Sequence, residues 1–192
     1  MGGVGGTKTE RNLVAAFLRE SAARSRYEWA AKDARKAGDI QAARAFEETA
    51  AQKLALARRF SKWFEAGAAD VTVDAPFAAA PLEGTVADLR SAAAGEEKSA
   101  ALLAGWAETA RAEGLPEIVA LCNAVTGALR FHARRFRGIA DRLASGRAFE
   151  RDEPTEWYCI KCGYVHTGPK APVRCPACSH PQGWFEPLAE TW

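Results

Sequence analysis

Four cysteines near the C-terminus are the residues best suited to chemistry. Cys159, Cys162, Cys175 and Cys178 form two Cys-x-x-Cys pairs with twelve residues between them, in the run CIKCGYVHTGPKAPVRCPAC. Each pair can present two thiolates from one tight turn. Two such turns facing each other make a tetrahedral four-sulfur cage for one metal ion. Gly163 follows the first pair, where the lack of a Cβ lets backbone N–H groups fold toward the sulfurs. Pro176 sits inside the second pair and helps to fix its turn. Two disulfides are the alternative, but Cys-x-x-Cys neighbours bridge poorly and nothing marks the chain as secreted. The metal is iron, which can carry an electron, or zinc, which cannot.

A second set of reactive side chains lies earlier and depends on helices to bring it together. Apolar residues recur at three- and four-residue steps over about 9–37, with Leu13, Phe17, Ala23, Tyr27 and Ala31 on one stripe. Gly38 stops this helix, and Asp39 is placed to cap a second one, to about Ala66 before Gly67. The long connection 67–84 holds Pro76 and Pro81 and is too proline-broken for a helix. Thr85 with Asp88 resembles a capping box opening a third helix to about Glu113. Pro116 suits the first turn of a fourth, which ends near Ser145 before Gly146. Four helices with one long middle connection predict a four-helix bundle with a single crossover, helices two and three running parallel.

Near the middle of each stripe a polar residue stands where an apolar one is expected: Glu20, Lys53, Glu96 and His132. Ionisable groups at core positions are costly unless paired or bound to metal. In one reading Glu20, Glu96 and His132 bind a metal. In the other, the Lys53 ammonium supplies the positive charge a metal would have supplied. The metal-free cluster is preferred, because an ammonium aimed into a cation site repels the ion. A third option lets one or two of these side chains snorkel outward. Tyr27 shares the inward face with Glu20 and is expected mainly to pack, with a hydrogen bond to a carboxylate of the polar layer as the alternative.

The whole chain is 192 residues and 20.7 kDa with a formal net charge of +2. That suits one core plus a small satellite domain, and it gives no field suggesting nucleic acid or an acidic membrane. No run of 18 apolar residues predicts a transmembrane helix. The expected organisation is a flexible tail over 1–8, the bundle over 9–145, a charged linker over 146–156 and a metal domain over 157–192. Cys122, in an apolar helical stretch, reads as a buried small hydrophobe. His166 and His180 lie near a cage already saturated by four thiolates and read as surface groups or neighbours of the ligands. A reducing, cytoplasmic setting fits a thiolate metal site.

The chain resembles the rubrerythrin family over about residues 7–188. CIKCGYVHTGPKAPVRCPACSHPQGWFEPL reads like that family's C-terminal domain, and TERNLVAAFLRESAARSRY, FEETA, AAAGEE and FHARRF follow in the family's order. The resemblance implies a ferritin-like four-helix domain with a di-iron site, then a rubredoxin-like β domain with one iron held by four cysteines. It also implies peroxide reduction at the di-iron site, fed by electrons from the rubredoxin-like centre, and subunits paired as a homodimer. Carried over residue by residue, Glu20, Glu96 and His132 match family ligands. Lys53 and Leu56 stand where the family has Glu-x-x-His, while Ser99 and Leu129 stand where it has carboxylates.

The sequence therefore predicts a mainly α, ferritin-like four-helix bundle followed by a small rubredoxin-like β domain. It predicts one iron in the four-cysteine site, with zinc possible, and no di-iron centre. The preferred function is a one-electron redox carrier or sensor working with a redox partner protein. The alternatives are a peroxide-reducing oxidoreductase with an altered or mononuclear bundle site, and a zinc-bound scaffold without catalysis. Trp157, Tyr158, Tyr164, Trp184 and Phe185 are expected to form the small domain's core around the cage.

Overall fold

Alanine-rich stretches with few β-branched residues propagate as long helices, and the chain spends most of its length in four of them. A computed structural model describes residues 3–64, 70–74 and 80–189. Helix α1 runs Lys8–Ala37, α2 Ile40–Ser61, α3 Thr85–Ala112 and α4 Pro116–Ala144. Gly38 ends α1 in the left-handed region at φ 88°, and its N–H closes onto the carbonyls of the last turn.

The two hydrophobic clusters fix the helix directions. One joins Leu13 and Ala16 of α1, Phe60 of α2, Leu103 and Ala107 of α3, and Ile118 to Leu129 of α4. The other joins Tyr27 to Ala34, Ala42 to Ala50, Leu89 to Ala93, and Phe136 with Ala140. The start of α2 therefore lies level with the start of α3, so these helices run parallel. The α1–α2 and α3–α4 hairpins are antiparallel, as their short connections require.

Several local expectations change. Helix α2 ends at Ser61 rather than continuing to Ala66; Gly67 and Pro76 lie outside the described residues. Asp39 occupies the N-cap of α2 but makes no side-chain capping bond there. Gly84, not Thr85, is the N-cap of α3, and the Asp88 carboxylate reaches back to the N–H groups of Glu83 and Gly84 at 3.0 and 3.2 Å. Residues 3–8 are not a free tail. Val4 is buried in the first cluster, Thr7 caps α1 by accepting from the Glu10 N–H, and Lys8 already belongs to that helix. The Glu113 carboxylate, at the end of α3, accepts from the N–H groups of Lys8 and Thr9 at 3.0 Å each. Helix α1 thus borrows an acidic cap from the far end of the chain's third helix.

Beyond α4 the chain forms a three-stranded antiparallel sheet in the order β2-β1-β3. Strand β1 is Glu150–Cys159, β2 Val165–Lys170 and β3 Phe185–Pro187, with a 3-10 turn at Gln182–Trp184. Much of the expected linker over 146–156 is therefore the first half of β1. A register shift between Glu150 and Thr155 breaks its alternation, and Pro154 falls there, beyond the reach of β3. The sheet unit sits against the α1–α2 corner: Arg44 pairs with Glu186, and Gly183 lies so near Gly38 that an added Cβ would stand 2.1 Å from the Gly38 carbonyl oxygen. Among the described residues no helix is long and apolar enough to cross a membrane.

Candidate functional sites: a four-thiolate cage and a buried ion-pair layer

Both cysteine turns are built alike. Each pair is followed by a residue in the left-handed region, Gly163 at φ 82° and Ser179 at φ 59°. That conformation lets the Gly163 N–H bond to the Cys159 carbonyl at 2.8 Å and the Ser179 N–H to the Cys175 carbonyl at 2.9 Å. The glycine is visible in the sequence; the matching role of Ser179, which carries a Cβ in the same geometry, is not.

Backbone N–H groups of Lys161 and Cys162 point at the Cys159 sulfur, those of Cys178 and Ala177 at Cys175, and that of Tyr164 at Cys162. Burial raises the Cys175 thiol, but the N–H bonds and the neighbouring sulfurs bring it down to about 7. At Cys162 the Tyr164 bond is outweighed by desolvation and the adjacent thiols, which push it to about 12. The four sulfurs thus share a deficit of positive charge that a bound cation would make up.

The cage dimensions fit one tetrahedral ion. The Cys159 and Cys178 sulfurs lie 3.8 Å apart, and those of Cys162 and Cys175 lie 3.6 Å apart. Metal–sulfur bonds of about 2.3 Å at tetrahedral angles require sulfurs about 3.8 Å apart. All four ligand atoms fall within 4.8 Å of one another, the one such cluster of three or more candidate ligands among the described residues. No cysteine is in a disulfide.

Trp157 and Phe185 are buried beneath the cage, with Tyr164 and Trp184 packed at its side. The Trp157 indole donates to the Gly168 carbonyl at 2.9 Å. His180 stacks edge-on against Trp184 and contacts the Cys178 carbonyl, while His166 lies half-buried on β2. Cys159 and Cys175 are buried and Cys162 is exposed, so the cage has one edge in solvent.

The second site lies in the bundle between the two apolar clusters. Glu20, Lys53, Glu96 and His132 come from α1, α2, α3 and α4 respectively, and each is at most 3% exposed. None snorkels outward. The Lys53 ammonium nitrogen is 2.7 Å from Glu96 Oε2, to which it donates, and 2.9 Å from Glu20 Oε2. The second approach has ion-pair distance but lies off the hydrogen-bond direction, so Glu20 Oε2 has a charge contact without an aligned donor. His132 Nδ1 is 3.3 Å from Glu96 Oε2. The Tyr27 hydroxyl donates to Glu96 Oε1 at 2.5 Å, so Tyr27 closes the layer as well as packing on Phe46 and Phe136.

The two carboxylates are therefore unequal. Burial raises Glu96, but His132, the charge and bond of Lys53, and Tyr27 together outweigh burial and hold it below the usual range. Glu20 loses more to burial than Lys53 returns, the Glu96 charge adds to the penalty, and its affinity for a proton rises. Burial and Glu96 push the Tyr27 phenol well above its ordinary value, so it remains a donor. The layer holds one firm ion pair, Lys53 with Glu96, and a second carboxyl that takes a proton readily.

Leu56 is half-buried at the edge of the first apolar cluster, and Leu129 is fully buried within it. Ser99 accepts from the Arg19 guanidinium at 2.9 Å. Cys122 is buried, its thiol raised to about 11 by burial alone.

The rubrerythrin family model matches residues 11–140, and the model of the rubrerythrin rubredoxin-like domain matches 157–186. The chain is 44% identical over 184 residues to a rubrerythrin of Porphyromonas gingivalis, covering 95% of this chain and 91% of that one. It is 40% identical over 188 residues to a rubrerythrin of Nitratidesulfovibrio vulgaris, covering 97% of each. Among solved structures, the fully reduced, all-ferrous state of nigerythrin superposes with a TM-score of 0.61 at 28% identity, covering 97% of this chain and 92% of that one.

Proposed function

The chain belongs to the rubrerythrin family, and from that premise we propose that it is a one-electron redox carrier or sensor whose single metal centre is the four-thiolate cage. Iron held by four thiolates changes by one electron with little ligand rearrangement. The protein's own contribution is to fix four sulfurs at the spacing one ion needs. It also directs N–H groups at three of the thiolates and shields the inner face with Trp157 and Phe185. The solvent-exposed Cys162 edge is the route by which an electron enters or leaves.

On this reading the bundle no longer houses a di-iron centre, and peroxide reduction there is lost or very weak. One observation carries it: the Lys53 ammonium lies between Glu20 and Glu96, within 2.9 Å of both. Two irons need several shared carboxylates to balance their charge. Two carboxylates that share one ammonium, with one imidazole, are a poor donor set for that purpose.

The test is metal content and turnover on the same sample. Protein reconstituted anaerobically with ferrous iron is expected to hold one iron per chain, to be red when oxidised, and to show little or no peroxide turnover with an electron donor. Three irons per chain with sustained peroxide turnover would overturn the assignment.

A further inference from the structure

The charges around the cage are of one sign. From Trp157 to Phe185 the chain carries Lys161, Lys170 and Arg174 and no aspartate or glutamate, although acidic residues number 24 in the whole sequence. The flanking acids are committed or set back. Glu186 pairs with Arg44 of the bundle. Glu150 pairs with Lys170, which is therefore left out of the balance. Glu156 lies opposite Thr167 on the sheet and belongs to neither cysteine turn.

Two cations remain, and the cage brings them to one edge. Lys161 adjoins Cys162 and Arg174 adjoins Cys175, and the sulfurs of those two cysteines lie 3.6 Å apart. Both Lys161 and Arg174 are exposed. The Lys161 ammonium stands 5.3 Å from the centre of the Trp184 ring, and Arg174 donates to the Ser179 carbonyl at 2.6 Å. A ring and a carbonyl carry no formal charge, so these contacts hold the cations in place without neutralising them. A field that steers a partner needs net charge rather than free donors.

The surface beside these cations is small and uncharged. Cys162, Gly163, Pro176 and Ala177 are all exposed, so nothing bulky keeps another protein from the sulfurs. Val173, just before Arg174, is 81% exposed and adds apolar area. Weak electron-transfer encounters bury less than about 1,200 Å² in all, so a patch built on two turns is large enough.

On the reading that the cage is a one-electron centre, we propose that its Cys162 edge docks an acidic electron-carrier protein, steered by Lys161 and Arg174 and seated on Gly163, Pro176 and Ala177.

The test uses the full chain in two forms. With zinc in the cage, the protein is titrated with an acidic flavodoxin, and with the basic carrier cytochrome c as control, following backbone amide shifts. Flavodoxin is expected to move Lys161, Gly163 and Ala177 at about 0.01 M salt and to release them at about 1 M, where the screening length has fallen from about 30 to about 3 Å. Cytochrome c is expected to leave these amides unmoved. With iron in the cage, electron transfer from reduced flavodoxin is expected to slow on the order of tenfold across the same salt range. Lys161→Glu is expected to lower both affinity and low-salt rate several-fold, while Lys98→Glu, the same charge change at an exposed position on α3, leaves both near the parent. Complete bleaching of the cage by dithionite separates the two ideas. A cage that does not bleach would refute the one-electron reading itself. With a cage that does bleach, the docking proposal fails if flavodoxin moves other amides or none, if cytochrome c occupies the same ones, or if Lys98→Glu matters as much as Lys161→Glu.

Discussion

Replacing Lys53 with methionine removes the ammonium while keeping much of the side chain's volume. In the parent, Lys53 bonds Glu96 at 2.7 Å and faces Glu20 at 2.9 Å, all three being almost fully buried. Removing one partner of a buried pair costs about 3–5 kcal/mol, because an uncompensated charge stays behind. Glu96 keeps Tyr27 and His132, which places the loss near the lower figure, about 3 kcal/mol at pH 8. At about 2–4 °C per kcal/mol for a chain of this size, the melt falls by roughly 6–12 °C. The sign with pH follows from the carboxyls. Without the ammonium, both folded carboxyls bind protons more tightly than in the unfolded chain. Their penalty is relieved in acid and grows as pH rises, so the gap between parent and variant widens from pH 5 to pH 8. The assay is denaturant unfolding followed by helical circular dichroism, which reports the bundle, on cage-loaded protein in metal-free buffer. Lys53→Glu serves as the companion: less stable still in metal-free buffer, but recovered by about 2–3 kcal/mol with ferrous or manganous ion at a hundred times its dissociation constant. A gap under about 1 kcal/mol, or one that does not change with pH, refutes the idea that the ammonium balances this layer.

Other changes probe the neighbouring parts. Glu20→Gln removes the carboxyl whose proton affinity is raised. The parent's contribution from Glu20 is fully present below the ordinary value of 4.5 and is lost as pH rises through the raised folded value; the variant is therefore expected to match or exceed the parent at pH 8 and to flatten the stability–pH curve. Stripping metal from the cysteines is expected to unfold the sheet unit, whose buried core is Trp157, Cys159, Ala171, Cys175 and Phe185, while the helical signal of α1–α4 persists. Gly183→Ala would set a methyl against the Gly38 carbonyl, so amide shifts at Gly38 and Ile40 are expected to move to those of an undocked sheet unit, leaving the cage spectrum intact.

The cage is legible in the sequence because its information is local: two short motifs bring their own turns, and the folded chain needs only to face one against the other. The polar layer is legible for a different reason. A charge interrupting an apolar stripe reports its own burial, and the stripes place Glu20, Lys53, Glu96 and His132 inward as they are found. What the sequence hides is set by partners distant along the chain. Nothing near Lys8 announces that Glu113 will cap it, and nothing in Val4 says that it joins the core rather than a free tail. Tyr27 on an inward face signals burial and offers a hydrogen bond to the polar layer, but that the bond outweighs plain packing, and that Glu96 receives it, depends on where α3 lies. Asp88 has the spacing of half a capping box, whereas its carboxylate accepts from two N–H groups just before the helix. The first half of β1 is hidden because its alternation is broken between Glu150 and Thr155.

The substitutions in the bundle make physical sense as a set. The resemblance assigns metal-binding roles to positions 53, 56, 99 and 129, which here hold Lys53, Leu56, Ser99 and Leu129. Had Lys53 alone changed, carboxylates at 99 and 129 would remain in the layer facing one ammonium, an excess of buried negative charge. Had the carboxylates at 99 and 129 alone been lost, Glu20, Glu96 and a carboxylate at 53 would face one another with only imidazoles to offset them. With all four changed, one cation meets one firm anion and one carboxyl that readily takes a proton. The set therefore predicts a non-additive response. Leu129→Glu alone places a carboxylate at a site with no exposure, in a bundle whose Lys53 ammonium is already engaged, and is expected to cost several kcal/mol. Lys53→Glu with Leu56→His, Ser99→Glu and Leu129→Glu is expected to be unstable without metal. With ferrous iron it is expected to recover toward the parent melt and to bind two further irons per chain. A quadruple variant that gained neither stability nor iron would refute the idea that the charge at the bundle centre decides whether a metal pair binds there.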